Sequence, residues 1–280
     1  MLAVQAPVYA RAMQISELAK PAAPHANWLV PDWPVPPDVR ALCTTRAGGV
    51  SVAPYDSMNL GAYVGDAPHA VAGNIERLTQ ALGARPVMLN QVHGTHLLAL
   101  DTTAPDGLQA DGSFTGQRAL ACTVGIADCL PILLCHVADG RATQVGALHA
   151  GWRGLAGHQG LGVVEAFFMA QTALGRPAAQ WRAWLGPCIG PQAFEVGSEV
   201  RTAFMAFSPV AAQAFVAVSG GKFLADLAFL ARQRLAEVGV HRVFGNDGSA
   251  AWCTVGNPSK FFSYRRDRVT GRQVAAICLL

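Results

Sequence analysis

The chain has no hydrophobic run that approaches the ~20 residues of a membrane-spanning helix, and no apolar segment of a secretory signal near its start. It also has no block of basic residues, since only 14% of its 280 residues are charged and its net charge is +3. These absences argue against a membrane protein and against a dedicated nucleic-acid-binding protein. An anionic small molecule is still compatible with the small positive charge.

The sequence also lacks the signs of a disulfide framework. Its seven cysteines are odd in number, and no two of them form a C-x-x-C pair. Most of them stand in apolar runs, which is typical of reduced cysteines in a cytosolic protein. We therefore expect a soluble cytoplasmic protein, as a monomer or a small homo-oligomer.

What the chain does have is enough apolar material for one sizeable core, because 51% of its residues are hydrophobic. Residues 1–27 are rich in Ala and Pro and are interpreted as a loosely ordered N-terminal extension. Residues 28–280 contain no linker and no repeat, which favours a single domain. Strand-like runs come in consecutive groups and also alternate with helices, which predicts an α+β (mixed α/β) fold of mixed β-sheets flanked by helices.

The periodicity of apolar residues predicts the individual elements. A first helix has Val71, Leu78 and Leu82 on one face, with Asp66 as its N-cap and Gly83 as its stop. Further helices are predicted at 157–174, 196–207 and 224–238. Strands are predicted at 39–45, 87–92, 96–100, 120–125, 131–136, 143–149, 181–185, 261–264 and 274–279.

Three hydrophobic runs end on a potential metal ligand, namely His93, Cys129 and His149. A thiolate and two imidazoles suit zinc or another borderline metal, and three protein ligands leave a fourth position open, as catalytic zinc sites do. The ligands lie 36 and 20 residues apart, so only the fold can bring them together. Taken alone, Cys129 is better interpreted as a buried structural cysteine.

Other polar residues near these runs are candidates for chemistry. Asp128 is interpreted as a general acid/base, or equally as a cap or an ion-pair partner of Arg153. Arg153 and the glycine turn after Arg46 suit an anionic ligand, although an ordinary loop explains the turn as well. Tyr264 and Arg265 place an aromatic ring beside a guanidinium, which suits a nucleoside or phosphate pocket but also a solvated turn.

At these residues the chain resembles the YfiH-like family, also called laccase-domain or polyphenol oxidase/purine nucleoside phosphorylase proteins. The segments that carry the resemblance are TTRAGGVS (44–51), YDSMNLGAYVG (55–65), NQVHG (90–94), ADG (110–112), ADCLPILL (127–134), HAGWRG (149–154), LGPCIGP (185–191), FEVG (194–197) and FFSYRRDRVTGR (261–272). They follow the family order from about residue 28 to the C-terminus, so the resemblance covers nearly the whole chain.

The resemblance implies that His93, Cys129 and His149 are the metal ligands, usually of zinc. It implies phosphorolysis of adenosine, inosine and methylthioadenosine, and deamination of adenosine. It also implies, as alternatives, copper-dependent phenol oxidation and editing of peptidoglycan precursors.

The amino-acid sequence itself favours some of these alternatives over others. A trinuclear copper centre needs many histidines, typically in H-x-H pairs, but the chain has eight histidines and no such pair. A single copper ion in place of zinc is compatible with the three ligands. A metal-free cysteine hydrolase, with Cys129 as nucleophile and His149 or His93 as base, is a further hypothesis.

We therefore predict a zinc-dependent purine nucleoside phosphorylase with adenosine deaminase activity, which acts on purine nucleosides and inorganic phosphate. Asp128 and Arg153 are the predicted catalytic residues. Arg46, Tyr264 and Arg265 are the predicted substrate-binding residues.

Overall fold

The structure is a computed structural model that describes residues 21–280. The α-helices are α1 (Pro68–Leu82), α2 (Trp152–Ala156), α3 (Val163–Ala173), α4 (Ser198–Met205), α5 (Leu227–Glu237) and α6 (Tyr264–Asp267). The strands are β1 (Val39–Cys43), β2 (Arg85–Val87), β3 (Leu97–Ala99), β4 (Gly112–Thr115), β5 (Leu120–Ile126), β6 (Leu130–Ala138), β7 (Arg141–Ala150), β8 (Trp181–Leu185), β9 (Glu195–Val196), β10 (Phe215–Ala217), β11 (Phe223–Ala225), β12 (Arg242–Gly245) and β13 (Gln273–Leu279).

The strands form two large sheets and one small one. The six-stranded sheet has the order β12–β8–β6–β7–β4–β3, and the four-stranded sheet has the order β1–β13–β5–β2. Both sheets are mixed, because their central pairs are antiparallel whereas β12–β8, β3–β4 and β2–β5 are parallel. The small sheet, β10–β11–β9, is antiparallel.

The two large sheets pack face to face and share one core. Because side chains alternate between the two faces of a strand, β6 directs Leu133 and Cys135 to this inner core and Ile132 and Leu134 to the opposite face. The inner core also contains Cys43, Cys122, Val124, Val145, Ala147 and Ile277. Both β5 and β6 are therefore buried on both faces, which explains their nearly continuous hydrophobic sequences.

Helices cover the outer face of each large sheet. Leu78, Ala81 and Leu82 of α1 pack on the four-stranded sheet, and Phe167 of α3 with Leu230 of α5 packs on the six-stranded sheet. The result is four layers, helix–sheet–sheet–helix, which confirms the predicted α+β fold of mixed sheets flanked by helices. None of the helices in residues 21–280 is both long enough and apolar enough to cross a membrane.

The first helix is confirmed, but its predicted N-cap is wrong. Ala67 is the N-cap of α1, and no side chain caps it. The Asp66 carboxylate instead accepts hydrogen bonds from the Ser51 hydroxyl and the Asn59 amide. The predicted stop is confirmed, because Gly83 adopts a left-handed conformation (φ 64°) that favours glycine.

Two other predicted helices begin later than predicted, each for a local reason. Helix α3 begins only at Val163, because Gly157 and Gly160 have positive φ (65° and 80°) and form a turn before it. Helix α5 begins at Leu227, where Asp226 caps it by accepting a hydrogen bond from the Phe229 N–H.

The predicted strand 261–264 is also wrong. The Ser263 side chain accepts a hydrogen bond from the Arg266 N–H and starts the short helix α6. Of the predicted strand 87–92, only Val87 belongs to a sheet strand, as the last residue of β2. The sequence patterns did not predict β4, β12 or the small sheet.

The predicted N-terminal extension, residues 1–27, lies mainly outside the described residues. Within the part that is described, Ala22 donates a hydrogen bond to the Gln80 carbonyl, and its own carbonyl accepts one from the Arg40 guanidinium. Residues 21–27 therefore contact α1 and β1.

Candidate metal centre and its cavity

Strand pairing brings two of the predicted ligands together. β6 and β7 are antiparallel, with Leu130 opposite Ala150 and Pro131 opposite His149. The start of β6 therefore lies beside the end of β7. Cys129, in the turn that precedes β6, consequently lies next to His149.

His93 reaches the same place from the loop that follows β2. Its Nε2 lies 3.8 Å from the Cys129 Sγ, and its ring meets the His149 ring edge-on with centroids 4.8 Å apart. The ligating atoms of all three residues lie within 4.8 Å of one another. A Cβ at Gly151 would lie 3.0 Å from the Cys129 Sγ and 3.1 Å from the His93 ring, so this close approach depends on glycine.

This donor set fits a metal ion. Zinc–ligand bonds of ~2.0–2.3 Å in a tetrahedron place the ligand atoms about 3.3–3.8 Å apart, so a small contraction of the cluster would complete the coordination. A thiolate with two imidazoles suits zinc, and it also suits copper. Among residues 21–280, no other group of three or more His, Cys, Asp or Glu side chains comes together in this way.

Asp111, which no sequence pattern identifies as a site residue, organises the whole cluster. The carboxylate is fully buried, and its Oδ1 accepts hydrogen bonds from the His149 Nδ1 and the His93 backbone N–H, both at 2.8 Å. Its Oδ2 accepts from the backbone N–H groups of Gly94 (2.6 Å) and Val92 (3.3 Å). Asp111 therefore fixes the His93 loop and leaves the His149 Nε2 free for a ligand.

Charges within the cluster shift the pKa values of its members. Burial raises the pKa of the Cys129 thiol, but the charge of His149 and hydrogen bonds from both histidines outweigh burial and lower this pKa to about 6. Burial lowers the pKa of His149, but the charge of Cys129 and the bond to Asp111 raise it to about 9. Without a metal, the two residues therefore form a thiolate–imidazolium pair at neutral pH. The thiolate is also the form in which cysteine binds metals.

Replacing Asp111 by Asn is expected to weaken metal binding by about 10–100-fold, the usual cost of losing a carboxylate behind a ligating histidine. An amide has one acceptor oxygen, whereas the Asp111 carboxylate accepts from four donors through two oxygens. The measurement is a competition titration of the zinc-loaded protein against a chelator of known affinity.

The matched control is Asp106→Asn. Asp106 also accepts a backbone hydrogen bond, from Met88, but it does not contact the three ligands. We expect its zinc affinity to equal that of the wild type. Equal affinities for Asp111→Asn and the wild type would contradict the role of Asp111.

The three ligands lie in a cavity of about 680 Å³. This volume lies within the range of small-molecule sites, ~300–1,000 Å³. Its walls are formed by residues 60–64, the end of β5 with the turn that precedes β6, and the segment 264–272. Its side-chain lining includes Leu60, Tyr63, Val64, Met88, Gln91, Thr123, Asp128, Trp152, Phe194, Tyr264, Arg265, Arg268 and Arg272.

Asp128 is part of this lining, and its carboxylate also bridges two other segments. Its Oδ1 accepts a hydrogen bond from the Thr254 hydroxyl (2.6 Å), and its Oδ2 accepts one from the Arg265 N–H in the first turn of α6 (2.7 Å). Its backbone has a positive φ of 96°, which is rare for a residue other than glycine. The structure gives Asp128 the contacts of a helix cap, and it forms no ion pair with Arg153.

Tyr264 and Arg265 also lie at the cavity, where α6 places them. The Tyr264 side chain is half exposed, and the Arg265 guanidinium lies over the Phe194 ring and donates to the Glu195 carbonyl (3.2 Å). These two predicted substrate-binding residues are therefore brought together with Asp128 and the three ligands.

The structure does not bring Arg46 and Arg153 to the cavity, and this corrects their predicted placement. The Arg46 guanidinium binds the Asp56 carboxylate and the Pro258 carbonyl, which holds two loops together. Arg153 is exposed, and its guanidinium lies 4.5 Å from the centre of the Trp152 ring. Neither arginine is among the residues that line the cavity.

Two other arginines, Arg268 and Arg272, line the cavity instead. They belong to the segment FFSYRRDRVTGR, of which only Tyr264 and Arg265 are predicted site residues. Burial lowers the pKa of Arg272, and the negative charges of Cys129 and Asp128 act in the opposite direction. The density of arginine in this segment was the sequence signal that could have identified them.

Comparison with known proteins identifies relatives of similar sequence. A family model described as multi-copper polyphenol oxidoreductase laccase matches residues 40–280. A purine nucleoside phosphorylase of Pseudomonas aeruginosa is 48% identical over 253 residues, which cover 90% of this chain and 98% of that protein. The purine nucleoside phosphorylase YfiH of Escherichia coli is 47% identical over 254 residues, with the same coverage of 90% and 98%.

Solved structures resemble the whole domain. The crystal structure of a Neisseria meningitidis protein superposes with a TM-score of 0.79 at 44% identity, and the match covers 90% of this chain and 99% of that one. The crystal structure of YlmD from Geobacillus stearothermophilus gives a TM-score of 0.77 at 28% identity, covering 87% and 92%.

Proposed function

The chain belongs to the YfiH-like family, whose model carries the laccase description, and we propose that it is a zinc-dependent purine nucleoside phosphorylase. The observation that carries this proposal is the cavity of about 680 Å³, in which the His93–Cys129–His149 cluster lies beside an aromatic ring and arginine side chains. Relatives at 47–48% identity that are named purine nucleoside phosphorylases support it.

The reaction joins a purine nucleoside such as adenosine, inosine or methylthioadenosine with inorganic phosphate. A phosphate oxygen forms a bond to the ribose C1′ as the bond from C1′ to the purine N9 breaks. N9 leaves with the electron pair and takes up a proton. The products are the free base and ribose-1-phosphate (for methylthioadenosine, its methylthio derivative).

Each group of side chains has a part in this reaction. His93, Cys129 and His149 would hold the metal, which supplies a Lewis acid when bound. Tyr264 offers a ring face to the nucleoside, and Arg265 offers a positive charge to the ribose or phosphate. Asp128 exchanges a proton with the reacting nucleoside, because each carboxylate oxygen keeps a lone pair beyond its contacts to Thr254 and Arg265.

The donor set favours one metal ion and does not suit a four-copper laccase. A trinuclear copper centre needs a further group of histidines. Within residues 21–280, the only cluster of three or more potential metal ligands has two histidines and one cysteine. Copper is the alternative metal for this single site, because thiolate and imidazole ligands bind it well.

Adenosine deaminase activity is the second part of the proposal. The same metal and the same carboxylate suit attack of water on C6 of adenine, which replaces the amino group by oxygen and releases ammonia. This reaction needs no phosphate, so the two activities are separable by experiment.

One observation favours a second candidate function, a metal-free hydrolase with a cysteine nucleophile. Asp111 orients His149 in the way that the third group of a catalytic triad orients its base, and His149 lies beside Cys129. The lowered pKa of Cys129, about 6, suits a nucleophile. This function would require no metal and would be lost on alkylation of the thiol.

A paired measurement tests these candidates. The metal content of the purified protein is determined by mass spectrometry, and adenosine is incubated with the protein with and without inorganic phosphate before chromatography. We expect about one zinc per chain and adenine that appears only with phosphate. Inosine formed in both samples would support the deaminase activity.

Two other results would contradict the proposed phosphorylase. Adenosine left intact by the zinc-loaded protein would overturn the substrate class. Full activity in metal-free protein, with complete loss after treatment with iodoacetamide, would replace the proposal by the cysteine hydrolase.

A further inference from the structure

The charges that line the cavity are unbalanced. Arg265, Arg268 and Arg272 supply three guanidinium groups, whereas Asp128 is the only acidic residue in the lining. Within residues 21–280, none of the three guanidiniums lies within ion-pair distance of a carboxylate. Positive charges that share a cavity repel one another, so an anion bound there would stabilise all three.

The backbone of Arg272 is held firmly at the cavity wall. Its N–H donates to the Asn59 side chain (2.8 Å), and its carbonyl accepts from the Leu60 N–H (3.0 Å). Its side chain packs so closely on Gly61 that a Cβ there would lie 2.7 Å from the Arg272 Cγ. The position of this guanidinium is therefore set by the fold before any ligand binds.

Arg272 also keeps hydrogen-bond donors for a ligand. Its Nη1 donates to the carbonyls of Thr270 and Gly271, whereas its Nε and Nη2 have no partner in the described part of the chain. A guanidinium presents its N–H groups as a rigid fork that matches two oxygens of a phosphate. The unpaired side of Arg272 is thus available for a bidentate contact.

An unusual turn brings Arg268 to the Tyr264 ring, which the Arg272 guanidinium also approaches. Arg268 is the central residue of a γ-turn closed by the bond from the Val269 N–H to the Asp267 carbonyl (2.7 Å), and its φ is +60°. Its guanidinium carbon lies 5.8 Å from the centre of the Tyr264 ring, and that of Arg272 lies 5.9 Å from the same centre. Two separate backbone arrangements therefore bring two arginines to one aromatic ring.

We propose that Arg268 and Arg272, beside Tyr264, form the subsite that binds inorganic phosphate. The inference rests on the proposed function, because that function makes phosphate the co-substrate. The two guanidiniums bind its oxygens and position one of them for attack on the ribose C1′, while the base lies nearer the His93–Cys129–His149 cluster. Arg46 and Arg153, which the sequence suggested for anion binding, have no part in it.

The probe is inorganic phosphate alone, titrated into the full-length zinc-loaded protein and followed by ³¹P NMR. We expect Arg272→Gln and Arg268→Gln each to weaken phosphate binding at least tenfold, since hydrogen bonds to charged groups contribute about 1.5–3 kcal/mol and 1.4 kcal/mol is tenfold. In steady-state assays, the KM for phosphate should rise by a similar factor while the KM for the nucleoside changes little.

Arg201→Gln is the matched control, because the Arg201 guanidinium also lies over an aromatic ring, that of Phe223 (5.2 Å), but not in the cavity. We expect it to bind phosphate like the wild type. Arg268 is exposed, so its variant keeps the test valid if Arg272→Gln fails to fold.

The outcomes separate this inference from the proposed function. Phosphate-dependent cleavage of adenosine by the wild type, with unchanged phosphate affinity in both variants, would overturn the subsite and leave the phosphorylase intact. Phosphate that binds the wild type and is lost from both variants, with no cleavage of adenosine, would support the anion subsite and overturn the phosphorylase. Absence of phosphate binding to the wild type would overturn the inference directly.

Discussion

Replacing His149 by alanine is expected to abolish metal retention and turnover together. His149 is 3% exposed, and the Asp111 bond to its Nδ1 directs its Nε2 towards Cys129 and His93. Its loss leaves two protein ligands, which is fewer than the three that catalytic zinc sites keep. We expect less than a tenth of the wild-type zinc content after dialysis, and no measurable cleavage of adenosine.

The control must separate loss of a ligand from loss of a buried histidine. His136 serves this purpose, since it is 4% exposed on β6 and its ring binds Thr143 and Gln180, on the side of the sheet away from the ligands. We expect His136→Ala to lower the melting temperature but to keep its zinc. Normal zinc content and turnover in a folded His149→Ala protein would contradict the metal site.

The site shows which functional residues a single sequence reveals. His93, Cys129 and His149 each end an apolar run, and family motifs contain all three, so both signals agree. Asp111 stands in the family segment ADG (110–112) but does not end an apolar run, and a lone aspartate before a glycine is typical of any turn. Its importance arises only in three dimensions, where it meets the His93 loop and His149 from a segment 18 residues after His93.

Two arginines were predicted at the site but do not line the cavity. Arg46 and Arg153 stand beside glycines in motifs, and this suggested an anion site. In the structure, carbonyl groups and Asp56 bind the first, and the second lies over Trp152 at the surface. Sequence spacing does not record the direction of a long side chain, so Arg272 was missed although it lies at the cavity.

The fold was predicted where hydrophobic periodicity was strong. Helix α1 has one apolar face and a glycine stop, and β5 to β8 are buried apolar runs, so their type was evident. Periodicity failed where capping decided the structure, as at Asp226 and Ser263, which start α5 and α6. Periodicity also failed to predict β12, a half-exposed edge strand. Only its pairing with β8 in the structure identifies it as a strand.

Replacing Asp128 by asparagine is expected to lower kcat by about 10²–10⁴-fold, the range for loss of a general acid/base, while zinc stays bound. Asparagine has the same shape, and its side-chain oxygen and nitrogen can still contact Thr254 and Arg265, so the turn before Cys129 should persist. The measurements are kcat with saturating adenosine and phosphate, zinc content, and the circular dichroism spectrum.

Displacement of α6 is a competing explanation for a loss of activity in Asp128→Asn. The Asp128 carboxylate accepts hydrogen bonds from Thr254 and from the first turn of α6. Thr254→Val removes one of these contacts and leaves the carboxylate in place, so we expect kcat within about fivefold of the wild type, as for loss of one hydrogen bond of ~1 kcal/mol. If Thr254→Val lost as much activity as Asp128→Asn, positioning of α6 would explain both results. A large loss in Asp128→Asn alone, with full zinc content, identifies the carboxylate as the group that exchanges the proton.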